Sequence, residues 1–353
     1  MLPPESIHHI QGEIDQQVAD RLSPAVGVAV SVDGGAPDSL SSGSAGAGSL
    51  FRAFSCGKPL AAAVLWRLHD RGLVDWNAPV AEYWPEFASN GKHGVTVDHV
   101  LTHRAGLPSD PQVPHAAYGN WEQVVAYLED APLEFKPGER MEYHALTFGW
   151  LVGEIASRVA GRSFAEAFED EVANPLGLRD TSFAPPPSRH SAVLALEAAP
   201  DFEAPGFISR FDHVLARQML MPGGSCISTP RDMARFYSAL LCDGMVGETR
   251  WLSSKTVREV TAQRAEAVDP ETGVLTRRTL GMALPGVPPN TYACPWESQT
   301  FGHGGAGTST TWGDPSTGIA AAVLNTGLQP RSRNRDRLYR TSLAIREAAR
   351  VGG

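Results

Sequence analysis

Apolar residues fall at helical spacing at the start of the chain. Ile10, Ile14, Val18 and Leu22 mark one face of a predicted helix over residues 7–22, and Pro24 ends it. Residues 25–32, AVGVAVSV, read as a strand with Asp33-Gly34-Gly35 as its turn. A Gly/Ser-rich stretch to Ser49 suits a hairpin and loop. From Leu60 to Trp66 nearly every position is apolar, which predicts a helix buried on most sides. Arg67 and Arg71 fall in its last turn, where cations favour the negative end of the helix dipole, and Gly72 is a natural stop.

From Val74 to about Pro187 the pattern alternates helices and loops. Helices are predicted over 97–103, 121–128 and 146–160, the last with Leu146, Trp150, Leu151, Ile155 and Val159 on one side and Gly161 as its cap. Asn174-Pro175-Leu176-Gly177 closes a further helix, and the Pro/Ala-rich stretch 185–205 reads as a connection. Thr229, Pro230 and Asp232 form a strong helix start, with the helix running to Cys242 and stopping at Gly244. Two late strands are predicted, 301–312 and 318–324, with Asp314–Thr317 turning between them, then a last helix over 336–349. Strands at both ends with helices between predict an α+β fold, an α/β sandwich. Its antiparallel sheet, flanked by helices, is built from distant segments. The expected division is residues 1–72 with 200–353 for the sheet-bearing domain and 73–199 for a mostly helical inserted domain, with the active site in the cleft between them.

Composition narrows the function classes. At 353 residues, 42% hydrophobic and 20% charged, the chain has the profile of a soluble globular protein of one large or two modest domains. A net charge of −9 argues against nucleic acid and anionic membranes as partners. No apolar run approaches the roughly 20 residues of a spanning helix. The N-terminus lacks a basic and an apolar signal region, so no signal peptide is expected. Cys56, Cys226, Cys242 and Cys294 show no CxxC pairing, so neither a disulfide framework nor a zinc site is expected, and the simplest location is the cytoplasm. Apart from His303, the histidines, His213 among them, show no HExxH or other ligand spacing, so no metal or other cofactor is expected. There is no GxSxG elbow, which argues against an α/β-hydrolase.

Three stretches carry candidate chemistry. Ser55 sits just before the apolar helix and Lys58 follows three residues later. On a helix both share one face, which puts an amine beside a hydroxyl, the minimal pair for an activated nucleophile. The residues alone leave open an N-cap serine and a surface lysine, although a buried lysine without a purpose is rare. A second Ser-x-x-Lys, Ser89 to Lys92, lies among Pro85, Asn90, Gly91 and Gly94 and reads as a loop with nothing to fix its geometry. Tyr143 follows a turn and precedes a helix, so it can point into a cleft as an acid or base, or stand as an ordinary core tyrosine. Tyrosine and lysine both titrate near ~10, so one of them must shift by about three units to work at neutral pH, roughly 4 kcal/mol. The third stretch, Phe301-Gly302-His303-Gly304-Gly305-Ala306-Gly307, formally matches GxGxxG. The β-branched run that follows cannot open a helix, which excludes a dinucleotide site. A glycine-lined strand edge can instead offer an N–H to an oxyanion. His303 would stand at the cleft mouth or be a half-buried structural histidine.

The order of these stretches resembles the serine β-lactamase class C and penicillin-binding-protein family, and within it the esterase branch (family VIII carboxylesterases) and related acyltransferases. Leu101-Thr102-His103-Arg104-Ala105-Gly106-Leu107-Pro108, Pro137 to Tyr143, Asn174 to Leu178 and Gly223 to Asp232 agree with it. The resemblance implies a β-lactamase/transpeptidase-like fold. It implies Ser55 as the acylated nucleophile, Lys58 as the group that takes its proton, and Tyr143 as the group that protonates the leaving group and activates the second nucleophile. It also implies an oxyanion hole from the backbone N–H groups of Ser55 and Ala306, and substrate contacts from His303, Gly304 and Gly305. Two departures weigh against a true β-lactamase or DD-peptidase: Tyr-x-Asn reads Tyr143-His144-Ala145, and Lys-Thr-Gly reads His303-Gly304-Gly305, which removes a fixed cation. The expected function is a cytoplasmic carboxylesterase on small or activated esters. The alternatives are a transacylase using an amine or alcohol acceptor, a β-lactamase or peptidase, and a non-catalytic acyl- or peptide-binding module. Trp121, Trp150, Trp296 and Trp312 are candidates to line the acyl site.

Overall fold

The computed structural model of the protein describes residues 2–46, 48–204, 206–211, 219–270 and 273–350; His213 lies outside them. Two segments more than 250 residues apart in sequence build one five-stranded antiparallel sheet. Its strands are β1 (Ala25–Val32), β2 (Asp38–Gly43), β3 (Phe301–Gly305), β4 (Ser309–Asp314) and β5 (Ile319–Asn325), in the spatial order β3-β4-β5-β1-β2. Register places Val28 opposite Val323, Trp312 opposite Ala321 and His303 opposite Thr311.

β1 is apolar at successive positions because both faces of the sheet are covered. Side chains alternate across a strand. Val26, Val28 and Val30, with Trp312, Ala321 and Val323, pack against Ile10 and Ile14 of helix α1 (Pro4–Ala19) and against Leu338 and Ile345 of the C-terminal helix (Arg331–Arg350). On the other face Ala25, Ala29, Ala320 and Ala322 meet the helix Pro230–Leu241. Small residues line that face because the helix comes close: a Cβ at Gly27 would stand 2.8 Å from the Pro230 ring. The predicted cap of this helix is present, with Thr229 Oγ1 accepting from the Asp232 N–H.

Helix α2 (Lys58–Asp70) is buried along nearly its whole length. Trp66 stacks on Phe236 at 6.0 Å on the sheet side, while the rest of the helix packs into the helical segment that follows, mainly Thr147–Ala160. Gly72 ends α2 with φ +73°, and Gly161 ends the Thr147–Ala160 helix with φ +67°. Among the described residues no helix is long and apolar enough to cross a membrane.

One predicted strand is two. Residues 301–312 fold into the β3–β4 hairpin, joined by Ala306-Gly307-Thr308. Gly307 supplies the left-handed residue of this three-residue loop at φ +61°. A run rich in Gly and Thr conceals such a turn, because the flanking residues all suit a strand.

The hairpin loop is held from behind by Arg337 of the C-terminal helix, which is 1% exposed. Its guanidinium donates to the carbonyls of Leu22 (2.6 Å), Gly327 (2.6 Å) and Gly307 (3.1 Å) and to Asn334 Oδ1, so main-chain dipoles rather than a carboxylate receive the charge. Burial pushes its pKa down to about 9, which still leaves it charged at neutral pH. Arg337→Met, which fits the volume but donates nothing, is expected to lower stability by about 3 kcal/mol, read as a reduced urea midpoint. An unchanged midpoint would show that these bonds contribute nothing net.

Candidate active site

Ser55 lies in a 3₁₀ turn, Phe54–Gly57, that runs straight into α2, so the serine precedes the α-helix by one turn. Lys58 is 0% exposed, which removes the surface-lysine reading. Its Nζ is 3.0 Å from Ser55 Oγ and donates to the carbonyls of Ala145 and Gly223, each at 2.6 Å. A carbonyl oxygen can only accept, so two of the amine's positions are committed as N–H donors and the third faces the serine. Protonated, that third position donates to Oγ. Neutral, it presents a lone pair to the serine hydroxyl. Burial lowers the Lys58 pKa below the ordinary 10.5, with Tyr143 pulling it partly back up through charge and a hydrogen bond.

The two carbonyls come from loops packed directly on each other. A Cβ on Gly149 would stand 1.9 Å from Gly223 N, so only glycine lets the 223 loop reach the amine. Ala145 is held in turn by its N–H to Ser109 Oγ at 3.1 Å. By contrast, Lys92 of the second Ser-x-x-Lys is buried as a structural clamp, donating to the carbonyls of Glu129 and Ala131.

Tyr143 comes to the same place from the loop before Thr147–Ala160. Lys58 Nζ is 4.9 Å and the Arg278 guanidinium carbon 5.3 Å from its ring centroid. The His103 ring packs on it at 4.8 Å and the His303 ring at 6.0 Å. His103 has a left-handed φ of +59° and accepts the His144 N–H at its Nδ1. Nothing in the spacing of residues 101–108 announces that conformation.

β3 forms the other side. A Cβ on Gly305 would lie 2.6 Å from Ala53 O, and Cys56 Sγ donates to His303 O at 3.2 Å, so the strand is seated on the turn that carries Ser55. His303 is not at the mouth: it is 5% exposed, because β4 and the turn at Ser55 enclose it. Its pKa is pushed well below 6.5, first by burial and then by the charges of Arg278 and Lys58. A neutral ring whose Nδ1 donates to Gly304 O, at 2.8 Å, has its lone pair on Nε2, and Nε2 is buried without a partner.

Ser55, Tyr143, His303, Gly304 and Gly305 line a cavity of about 800 Å³ together with Ser109, Asp110, Asp269, Thr276, Arg278, Ala306 and Arg331. The sequence reading missed Arg278, which restores a cation that the loss of Lys-Thr-Gly had removed. It arrives on the hairpin Ala265–Val268/Leu275–Arg278, tied to β3 through Ala283. None of the four candidate tryptophans lines the cavity. Trp121 stacks on Phe164, Trp150 packs against Tyr118, Trp296 lies under Arg277 and Trp312 under Arg346. Phe54, Phe207 and Phe211 take that place. Ala145, in the position of the missing asparagine, has no side-chain amide and meets Lys58 only through its carbonyl, while His144 beside it is buried with Nδ1 on Glu142 O. No cluster of three or more potential metal ligands occurs among the described residues.

A family model described as Beta-lactamase matches residues 10–345. The esterase/beta-lactamase LipL of Mycobacterium tuberculosis is 31% identical over 307 residues, which is 78% of this chain and 68% of that protein. Two further relatives are matched over only 49% and 59% of their own length. Among solved structures, a penicillin-binding protein homolog from Caulobacter crescentus superposes with a TM-score of 0.85 at 27% identity, covering 99% of both chains. A family VIII carboxylesterase superposes with a TM-score of 0.83, also at 27% identity, over 98% of both chains.

The buried histidines set a pH dependence. His103, His144 and His303 all bind a proton less well folded than unfolded, burial being the main cause. As pH falls below about 6.5 the unfolded chain therefore takes up protons first. Their contribution is intact above that pH and is lost as pH falls toward the folded values, which is about 4 for His144. His144 alone accounts for roughly 3 kcal/mol of that loss. The urea midpoint is expected to drop steeply from pH 6.5 to 4 and less steeply in His144→Asn. Identical slopes in the two proteins would contradict this.

Proposed function

Because the chain belongs to the beta-lactamase family of serine hydrolases, we propose that it is a carboxylesterase working through an acyl-enzyme on Ser55. One observation carries the reading: the amine of Lys58 has two positions tied to carbonyls and its third at 3.0 Å from Ser55 Oγ. In the proposed cycle the Lys58 lone pair takes the serine proton as Oγ bonds to the ester carbonyl carbon. The Ser55 and Ala306 N–H groups hold the oxyanion. The carbon–oxygen bond to the alcohol then breaks, and Tyr143 gives the departing oxygen a proton that Lys58 replaces. Water then attacks the acyl carbon, its proton passing through Tyr143 to Lys58, and Lys58 returns a proton to Ser55 Oγ as the acyl–oxygen bond breaks and the acid is released. His303, Gly304 and Gly305 contact the substrate, and the site lies in the cleft between residues 73–199 and the rest of the chain. The four free cysteines are compatible with a cytoplasmic setting.

A second reading is acyl transfer to an amine or alcohol. What favours it is His303 Nε2, a buried lone pair beside Tyr143 that suits an N–H or O–H donor rather than an anion. A β-lactamase is less well supported, since Ala145, at the family's asparagine position, has no side-chain amide to hold a lactam's acyl amide.

Intact-protein mass spectrometry after an activated ester is expected to show one acyl adduct in the wild type and none in Ser55→Ala. Tyr143→Phe is expected to lower kcat by about 10²–10⁴-fold. An adduct in Ser55→Ala would remove the proposal. The acid limb of kcat/KM should titrate below the ordinary lysine value of 10.5 and persist in His303→Gln, because His303 is neutral throughout that range. Loss of the limb in that variant would reassign the base. Adding an amine and finding amide in place of acid would select transfer.

A further inference from the structure

The cavity has two chemically different sides. Tyr143 is surrounded by Lys58, Arg278, His103 and His303. On the other side Phe54, Phe207 and Phe211 pack on one another, with ring centroids 5.5 Å (Phe54–Phe207), 6.3 Å (Phe54–Phe211) and 4.7 Å (Phe207–Phe211) apart. They belong to an apolar cluster with Leu196 and Leu328 that is separate from the main core, and Phe202 backs Phe207 at 5.7 Å. Phe54, directly before the nucleophile, adopts a left-handed φ of +49°. That conformation is costly for a bulky residue and persists where the surroundings impose it, often at functional sites. Here two successive residues, Phe54 and Ser55, both line the cavity.

We propose that this aromatic wall selects the acyl half of the substrate, so that the preferred donors are esters of aryl-bearing acids such as arylacetic acids. The proposal rests on Ser55 acylation with Tyr143 protonating the departing oxygen. That proton transfer requires the alcohol to leave on the polar, Tyr143 side. The group left on the serine then faces the residue next to it in the chain, Phe54, and the rings continuous with it. Stacked or edge-on rings 4.5–7 Å apart favour a further aromatic ring over a linear chain of equal area. The polar side, with Asp110, Asp269 and Arg278, would leave a buried aryl alcohol beside charges.

Methyl phenylacetate and benzyl acetate are isomers that place the same ring on the acyl side and on the alcohol side respectively. Their hydrolysis can be followed as acid release, with methyl acetate as the ringless reference. The wild type is expected to turn over methyl phenylacetate with a kcat/KM about tenfold or more above that for benzyl acetate. Phe207→Ala is expected to lower kcat/KM for methyl phenylacetate about tenfold more than for methyl acetate, and Phe207→Leu to fall between. Phe211→Ala gives the same readout if Phe207→Ala melts early. Equal rates for the isomers, a preference for benzyl acetate, or an equal fall on all three esters would overturn the proposal while leaving Ser55 acylation standing. Absence of any acyl adduct on Ser55 would remove the acylation reading and this inference with it.

Discussion

The arrangement depends on one buried amine. Lys58 is held by two main-chain carbonyls and the Ser55 hydroxyl, with the Tyr143 phenol beside it. Placing an amine in such a site is costly and disfavours the charged form. The cost is tolerable only if both carbonyls arrive together. They come from residues 145 and 223, so three segments far apart in sequence must close on a single nitrogen. Gly149 and Gly223 are required because backbone packs on backbone there. The demand for a buried amine beside a hydroxyl and the demand for close packing therefore meet at the same atoms.

The sheet supplies the second fixed boundary. β3 is seated on the turn that carries Ser55 through Gly305 and Cys56. Its hairpin loop, which carries Ala306, is tied from behind to the C-terminal helix by Arg337. Burial keeps the Cys56 thiol protonated, its pKa pushed up to about 12, so the residue beside the serine serves as a donor and not as a competing nucleophile. A site held between α2 and a strand of the central sheet is positioned by the most buried parts of the molecule, which suits chemistry that tolerates little misplacement.

Around that rigid centre the family pattern has been changed in a consistent direction. A neutral histidine, His303, stands on the β3 edge, the cation Arg278 reaches the cavity on a neighbouring hairpin, and the asparagine position is Ala145, which offers Lys58 a carbonyl and no side-chain amide. Each change leaves the serine, lysine and tyrosine together while altering what can be recognised beside them. Fold and reaction type thus travel separately from substrate choice, which lies in the side chains lining the cavity.

Local pattern determined much of this protein. The helix after Ser55, the strand at 25–32, the Thr229 cap, the final helix and an antiparallel sheet built from both ends of the chain were all legible, because each rests on periodicity or on capping chemistry within a few residues. The pairing of Ser55 with Lys58 was legible for the same reason, being set by one helical turn. What lies across the cavity was not. Phe207, Phe211, Arg278 and Asp269 carry no spacing relative to Ser55, the tryptophans that composition put forward are packed elsewhere, and the hairpin within 301–312 was hidden by residues that all suit a strand. The left-handed conformations of Phe54 and His103, and the neutrality of His303, occur where other segments pack on them: Phe207 and Phe211 on Phe54, Tyr143 and Phe148 on His103, and Arg278 and Lys58 near His303. Only the closed tertiary structure decides such features, because desolvation and backbone strain depend on everything that surrounds an atom and not on its neighbours in the chain.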